Sequence, residues 1–433
     1  MFGGGRPLVR PCPGGIIGPV ASPAKQIGLG LVMACLATTL TVGIALKSPC
    51  AGGEWGDGRQ YRSYCYSDIV ALYGTEQLTG GRLPYLDACV PHGGQECDEY
   101  PVLSMYAMRV AAWMSVGFAG FFYANVVLLS IAAFVVLVCL YLLVGSRALY
   151  FALAPTLLIY GFMNWDLIAV AFSMAATLAY LNRRDVWSGV LLGLGAGAKL
   201  YPALLLVPVV LGRFRERKPD AGIHLAWAGA AAWLAVNLPF ALAAPLGWRE
   251  FFRFNATRPA DWDSLWFVAC HRLTGELFCD RPRVLGALGL LQVINIASAV
   301  LFVALSILLY RLRRRVAPDF PRWTFGFAIL VAFLLTNKVY SPQYGLWLLP
   351  WFALVLPNLR LFAAFQAADV TVFLTRFSWF GRYTGIGGLP IGTFEIAVLV
   401  RAVVLVWCLA AWVRRGRSEA VPLAPAAEMD APA

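Results

Sequence analysis

Apolar runs alternate along the chain with short basic turns, and many of the runs approach the roughly 20 residues that a helix needs to cross a bilayer. Placing spans by run length, and fixing direction by the basic turns, predicts a first crossing over Ile27–Leu46 and a polar loop over Lys47–Tyr100. An amphipathic helix over Pro101–Phe118, carrying Arg109, then lies along the interface, and Asn125–Val144 returns to Arg147. Leu149–Asn182 and Trp187–Gly212 are each too short for two full crossings, yet both have basic residues on both flanks. GFMNWD interrupts the first and GAGAKLYP the second. This predicts pairs of short helices that enter and leave from one side, with the interruption buried in protein or lining a cavity.

Further spans follow at Ile223–Ala243, Leu285–Tyr310, Trp323–Leu335, Gly345–Leu356, Leu361–Phe377 and Ile391–Val413. The pattern as a whole predicts an all-α, polytopic integral membrane protein with about a dozen crossings and both termini cytoplasmic. Its single transmembrane domain covers residues 27–413, with external loops at 47–100 and 244–283. Residues 1–26, rich in Gly and Pro, and the tail 414–433 read as disordered.

Composition agrees: with 60% hydrophobic and 13% charged residues, a chain of 433 has too little polar surface to coat a soluble globule. The net charge of +12 suggests nucleic acid at first sight. The basic residues, however, fall in clusters such as RFRERK, RLRRR and RRGR between apolar runs, so they report topology and no nucleic-acid partner is expected. Cys50, Cys65, Cys89 and Cys97 lie in the first loop and Cys270 and Cys279 in the second. Even numbers on one side fit disulfides formed in an oxidising compartment, and the four allow three connectivities. No CxxC pair is matched by a second, and His92, His224 and His271 have no ligand spacing, so no metal site is predicted.

An ionisable group at the centre of a membrane helix costs about 2.5–3.5 kcal/mol and needs a reason to be there. Asp68, in YRSYCYSDIVALYG, is either a helix-start residue behind the N-cap Ser67 or an acid held at a membrane-edge cavity. Glu99 and Tyr100 either begin the next helix or bring a second acid near it. Lys199, in GAGAKLYP, either snorkels to water or meets a lipid phosphate. Asp166 in NWD either caps its helix or belongs to a ligand site, with Asn164 as the alternative cap. NKVYSPQY gathers Asn337, Lys338, Tyr340, Ser341, Gln343 and Tyr344, more donors than a turn needs, and reads as a ligand site. Arg258 reads as loop structure, while Asp369, Arg376, Glu395 and Arg401 read as pairing with one another between the last helices.

In their order, CYSDIVALYG, LPYLD, EYPVL, NWD, GAGAKLYP and NKVYSPQYGLWLLP resemble the polyprenyl-phosphate-sugar-dependent membrane glycosyltransferases of the GT-C class. The similarity runs from Ile27 to Trp412 and is greatest to the actinobacterial alpha-mannosyltransferases of glycosyltransferase family eighty-seven. The resemblance implies a multi-helix fold and a mannose donor linked to a polyprenyl phosphate, which serves as substrate with no separate cofactor. It also implies a glycolipid or glycan acceptor on the outer face, a catalytic Asp in the first external loop, here Asp68, and donor-side contacts from Lys338, Tyr340 and Gln343. Glu99, Tyr100, Asp166 and Lys199 complete the expected substrate-binding set. The insertion DACVPHGGQECDEYP departs from that family pattern.

The chemistry is compatible with a single acid. A base must take the acceptor proton, but a phosphate whose charge is met by cations leaves without a second carboxyl group, unlike the leaving alcohol of a glycosidase. No DxD-type pair near a nucleotide fold appears, and no Gly-rich phosphate loop follows a strand, so a nucleotide-sugar donor is not expected. The rival readings are a transporter or flippase, against which the chain shows no two-half repeat, and a non-catalytic envelope-assembly protein, which would tolerate Asp68→Asn.

Overall fold

The structure, a computed structural model, describes residues 27–90, 97–278 and 288–416, and all longer regular elements among them are helices. The expected disordered segment 1–26 and residues 417–433 of the expected tail 414–433, together with His92 and Cys279, lie outside the described residues, while the last helix runs on to Arg414, the first residue of that tail. The first half of the chain forms α1 (Leu29–Lys47), α2 (Asp68–Thr75), α3 (Val102–Trp113), α4 (Gly117–Val144), α5 (Asp166–Leu181), α6 (Asp185–Ala198) and α7 (Tyr201–Arg215). The second half forms α8 (Pro219–Ala243), α9 (Pro245–Thr257), α10 (Leu265–Thr274), α11 (Leu290–Val316), α12 (Phe325–Thr336), α13 (Leu359–Tyr383) and α14 (Ile391–Arg414). Five of these, α1, α4, α8, α11 and α14, are long and apolar enough to cross a membrane, which makes the chain a polytopic membrane protein.

Several boundaries differ from the sequence reading, each for a local reason. The amphipathic helix stops at Trp113, and α4 starts at Gly117, eight residues before the expected Asn125. Gly117 takes a φ of +70°, a left-handed turn that other residues avoid, and the apolar residues after it lengthen the span. The expected external loop at 244–283 is largely helical, holding α9 and α10. The expected crossing at Gly345–Leu356 is two short pieces, a 3-10 turn over Pro342–Trp347 and a helix over Leu349–Leu354. Pro342 and Pro350 each sit in the first turn of a piece, where the missing N–H costs nothing. Leu346, Leu348, Leu349, Phe352 and Leu354 are fully buried, so this irregular backbone is enclosed by protein, where a membrane protein tolerates it.

The two interruptions read from the sequence are real breaks. The short helix Pro155–Tyr160 ends before the turn at 161–165, and α6 passes to α7 through the extended backbone of Lys199. Packing holds them in place. A Cβ on Gly189 would lie 2.1 Å from the carbonyl oxygen of Leu225, and one on Gly193 2.2 Å from that of Gly229. These glycines, one turn apart, therefore let α6 press its backbone against α8, the close approach that holds helices together where lipid offers no hydrophobic drive. One apolar core runs from Val32 and Leu36 of α1 to Leu405 and Trp412 of α14.

Candidate active site

Asp68 is the first residue of α2, and the helix is not capped by Ser67 as the sequence suggested. The Ser67 hydroxyl instead donates to the carbonyl of Phe162 (2.8 Å), and the Asp68 N–H to that of Met163 (2.9 Å), so α2 is docked end-on against the break before α5. Behind it, Cys50 and Cys65 form a disulfide, and Lys47 at the end of α1 donates to the Tyr66 carbonyl (2.7 Å). Of the three connectivities open for the first loop, the one found pairs Cys50 with Cys65 and Cys89 with Cys97. Cys270 is also disulfide-bonded.

A buried latch fixes the other side of the loop. Glu76 accepts the backbone N–H groups of Asp98 (2.8 Å) and Glu99 (3.3 Å), and Arg82 bridges the carboxylates of Glu76 (3.5 Å) and Asp98 (2.5 Å). Burial pushes the Glu76 carboxyl up to about 7. The Tyr85 hydroxyl donates to the Tyr100 carbonyl (2.5 Å), completing the hold on residues 98–100. No signal in the polar stretch TEQLTGGR sets Glu76 and Arg82 apart from ordinary loop surface.

These elements enclose one side of a cavity of about 580 Å³ lined by Asp68, Glu99, Tyr100, Lys199, Lys338 and Gln343 from the expected set, together with Tyr66, Arg258, Asp261, Trp262, Tyr344, Trp347 and Arg376. Asn164 stands behind it, its amide nitrogen donating to Asp68 Oδ2 (2.9 Å) and to the Tyr100 hydroxyl oxygen (2.5 Å). Burial raises the Asp68 carboxyl above its usual range. The hydrogen bonds from Asn164 and Tyr66 and the charges of Arg376 and Lys199 act in the opposite direction without cancelling it.

Asp166 lies just outside the lining. Its Oδ2 receives the Lys199 ammonium (3.2 Å) and its Oδ1 the Trp347 indole N–H (2.6 Å), so it anchors Lys199 and does not face the cavity itself. The ammonium also lies 5.0 Å from the Tyr100 ring centre and 5.1 Å from that of Tyr344, an aromatic enclosure that favours a cation. Lys338 lines the cavity, but its ammonium is turned onto the carbonyls of Ala256 (3.1 Å) and Arg258 (2.7 Å) at the end of α9. Tyr340 is not among the lining residues: it is buried with the Arg401 guanidinium 3.7 Å above its ring.

The second wall rests on an ion-pair network that the sequence showed only in part. Arg376 pairs with Asp263 and lies 3.7 Å from Asp261, while Arg401 pairs with Asp369 (3.2 Å) and takes the Asp263 carbonyl (2.9 Å). Glu395, expected in the same set, binds His271 and Arg272 instead. Ser341 donates to Asp261 Oδ2 (2.9 Å), tying the loop after α9 to NKVYSPQY. Arg258, read as loop structure, lines the cavity with its guanidinium 3.9 Å from Asp261.

The sequence model of glycosyltransferase family 87 matches residues 99–342. No protein of curated function matches the chain in sequence. Among solved structures, the crystal structure of ArnT from Cupriavidus metallidurans bound to undecaprenyl phosphate is similar over 90% of this chain and 79% of that one, at 13% identity and a TM-score of 0.44.

Proposed function

The chain belongs to glycosyltransferase family 87, whose sequence model covers more than half of it, and from that membership we propose a GT-C-class hexosyltransferase that moves mannose from a polyprenyl-phosphate donor to a glycolipid or glycan hydroxyl on the extracytoplasmic face. The observation that carries the reading is one cavity holding the raised carboxylate of Asp68 together with the enclosed ammonium of Lys199 and the guanidinium of Arg258. Asp68 takes the proton of the acceptor hydroxyl as that oxygen attacks the anomeric carbon. On the opposite face the bond from that carbon to the phosphate oxygen breaks, and its electron pair leaves with the phosphate, so the configuration inverts. Base catalysis of this kind is worth about 10²–10⁴-fold. Cations aimed at the departing phosphate supply a second part.

Lys199 and Arg258 are assigned to that phosphate. Lys338, spent on two carbonyls, contributes by holding the backbone of Arg258 in place. The rings of Tyr66, Tyr100, Tyr344 and Trp262 give the cavity flat apolar walls of the sort that orient a ring-shaped ligand between a few polar groups.

Purified protein in detergent, given polyprenyl-phosphate-mannose and an envelope glycolipid extract, is expected to yield an acceptor heavier by one hexose in the mass spectrum. Movement of the lipid-linked sugar across sealed vesicles with no new glycosidic bond would instead establish a transporter. The pH dependence follows from the raised carboxyl: Asp68 accepts a proton only when ionised, so kcat falls as pH drops through its pKa, and the acid limb lies above the ordinary carboxylate range. An acid limb at or below that range would remove Asp68 as the base.

A further inference from the structure

We propose that Asn164 is a positioning residue for this transfer, holding the Asp68 carboxylate and the Tyr100 hydroxyl in one fixed relation at the edge of the cavity. The inference rests on Asp68 being the base. Asn164 is fully buried, and the hydrogen bonds settle which way its amide faces: Oδ1 accepts the Trp165 N–H (2.5 Å), so the nitrogen must point to Asp68 and Tyr100. Both protons of that nitrogen are used, one on Asp68 Oδ2 and one on the Tyr100 oxygen.

Two consequences follow from elementary hydrogen-bond capacity. The Tyr100 oxygen acts as acceptor toward Asn164, so its own proton is left to donate elsewhere, and Tyr100 lines the cavity. Asp68, in turn, has one oxygen fixed by a neutral donor, which favours the ionised form without supplying a charge that would hold the abstracted proton off. The remaining groups facing Asp68 are Tyr66 from its own loop, Lys47 from α1, Lys199 from the α6–α7 break and Arg376 from α13. Among these, Asn164 alone bridges the acid to a second hydroxyl on the cavity wall.

The test is the pH profile of kcat in Asn164→Leu and Asn164→Asp, measured on the full-length protein with the thermal midpoint as a check on folding. Asn164→Leu removes the donor and is expected to lower kcat about 10–100-fold with little change in KM, and to move the acid limb up by about one pH unit, the size of one hydrogen bond to a charged group. Asn164→Asp keeps the shape but sets a second carboxyl beside Asp68, so the two share a proton and the limb moves higher still, with activity recovering as pH rises. Variants that fold but keep the wild-type acid limb, whatever their kcat, overturn the proposal. Sugar transfer at the full wild-type rate by Asp68→Asn would fail the underlying reading instead, and the two failures are read from different variants.

Discussion

Asp68→Asn is expected to lower the rate of sugar transfer by about 10²–10⁴-fold, the range for loss of a general base, and to leave the thermal midpoint unchanged. The substitution is nearly isosteric. The amide oxygen still accepts from Asn164, and the backbone N–H still donates to Met163, so the docking of α2 is kept. What is lost is only the capacity to take a proton. Residual turnover would then measure the part proposed for Lys199 and Arg258. A wild-type rate in this variant would sink the assignment of the base.

Arg401→Met is expected to cost about 3–5 kcal/mol of stability, the usual penalty for stripping one partner from a buried ion pair, even though Arg401 does not line the cavity. Arg401 is 1% exposed and faces two carboxylates, Asp263 and Asp369, that are themselves buried. Methionine fills part of the volume but leaves both acids without it, and the loop carrying Asp261 and Trp262 loses the bond to the Asp263 carbonyl. Adding Asp369→Asn should restore part of the loss, since one stranded charge is then removed. Thermal unfolding in detergent reads both steps, and equal midpoints for wild type and Arg401→Met would show that the network contributes little.

How far the sequence could be read depends on the range of the physics involved. Spans were legible because bilayer thickness turns directly into a count of apolar residues, and breaks were legible because GFMNWD and GAGAKLYP place polar groups where lipid would penalise them. Lys199 and Asp166 stand out for the same reason, and the structure brings them within 3.2 Å of each other. Pairings between distant segments have no such local mark. Asp261 and Asp263 read as loop acids until Arg376 and Arg401 are placed beside them, and nothing in NKVYSPQY tells that the Lys338 ammonium ends on the carbonyls of α9 while Tyr340 turns to Arg401. Glu76 was passed over because a polar loop gives no hint of which acid will be enclosed.

The same network orders events in time. A chain is made from its N-terminus, and Asp263 emerges 113 residues ahead of Arg376 and 138 ahead of Arg401. During that interval the acid has neither guanidinium to meet, and burying it early would be costly, so it is best left hydrated while the earlier helices settle. The wall carrying Asp261 and Trp262 is thus set only after α13 and α14 have been made. α14, which contributes no residue to the lining of the cavity, is the helix whose arrival completes it.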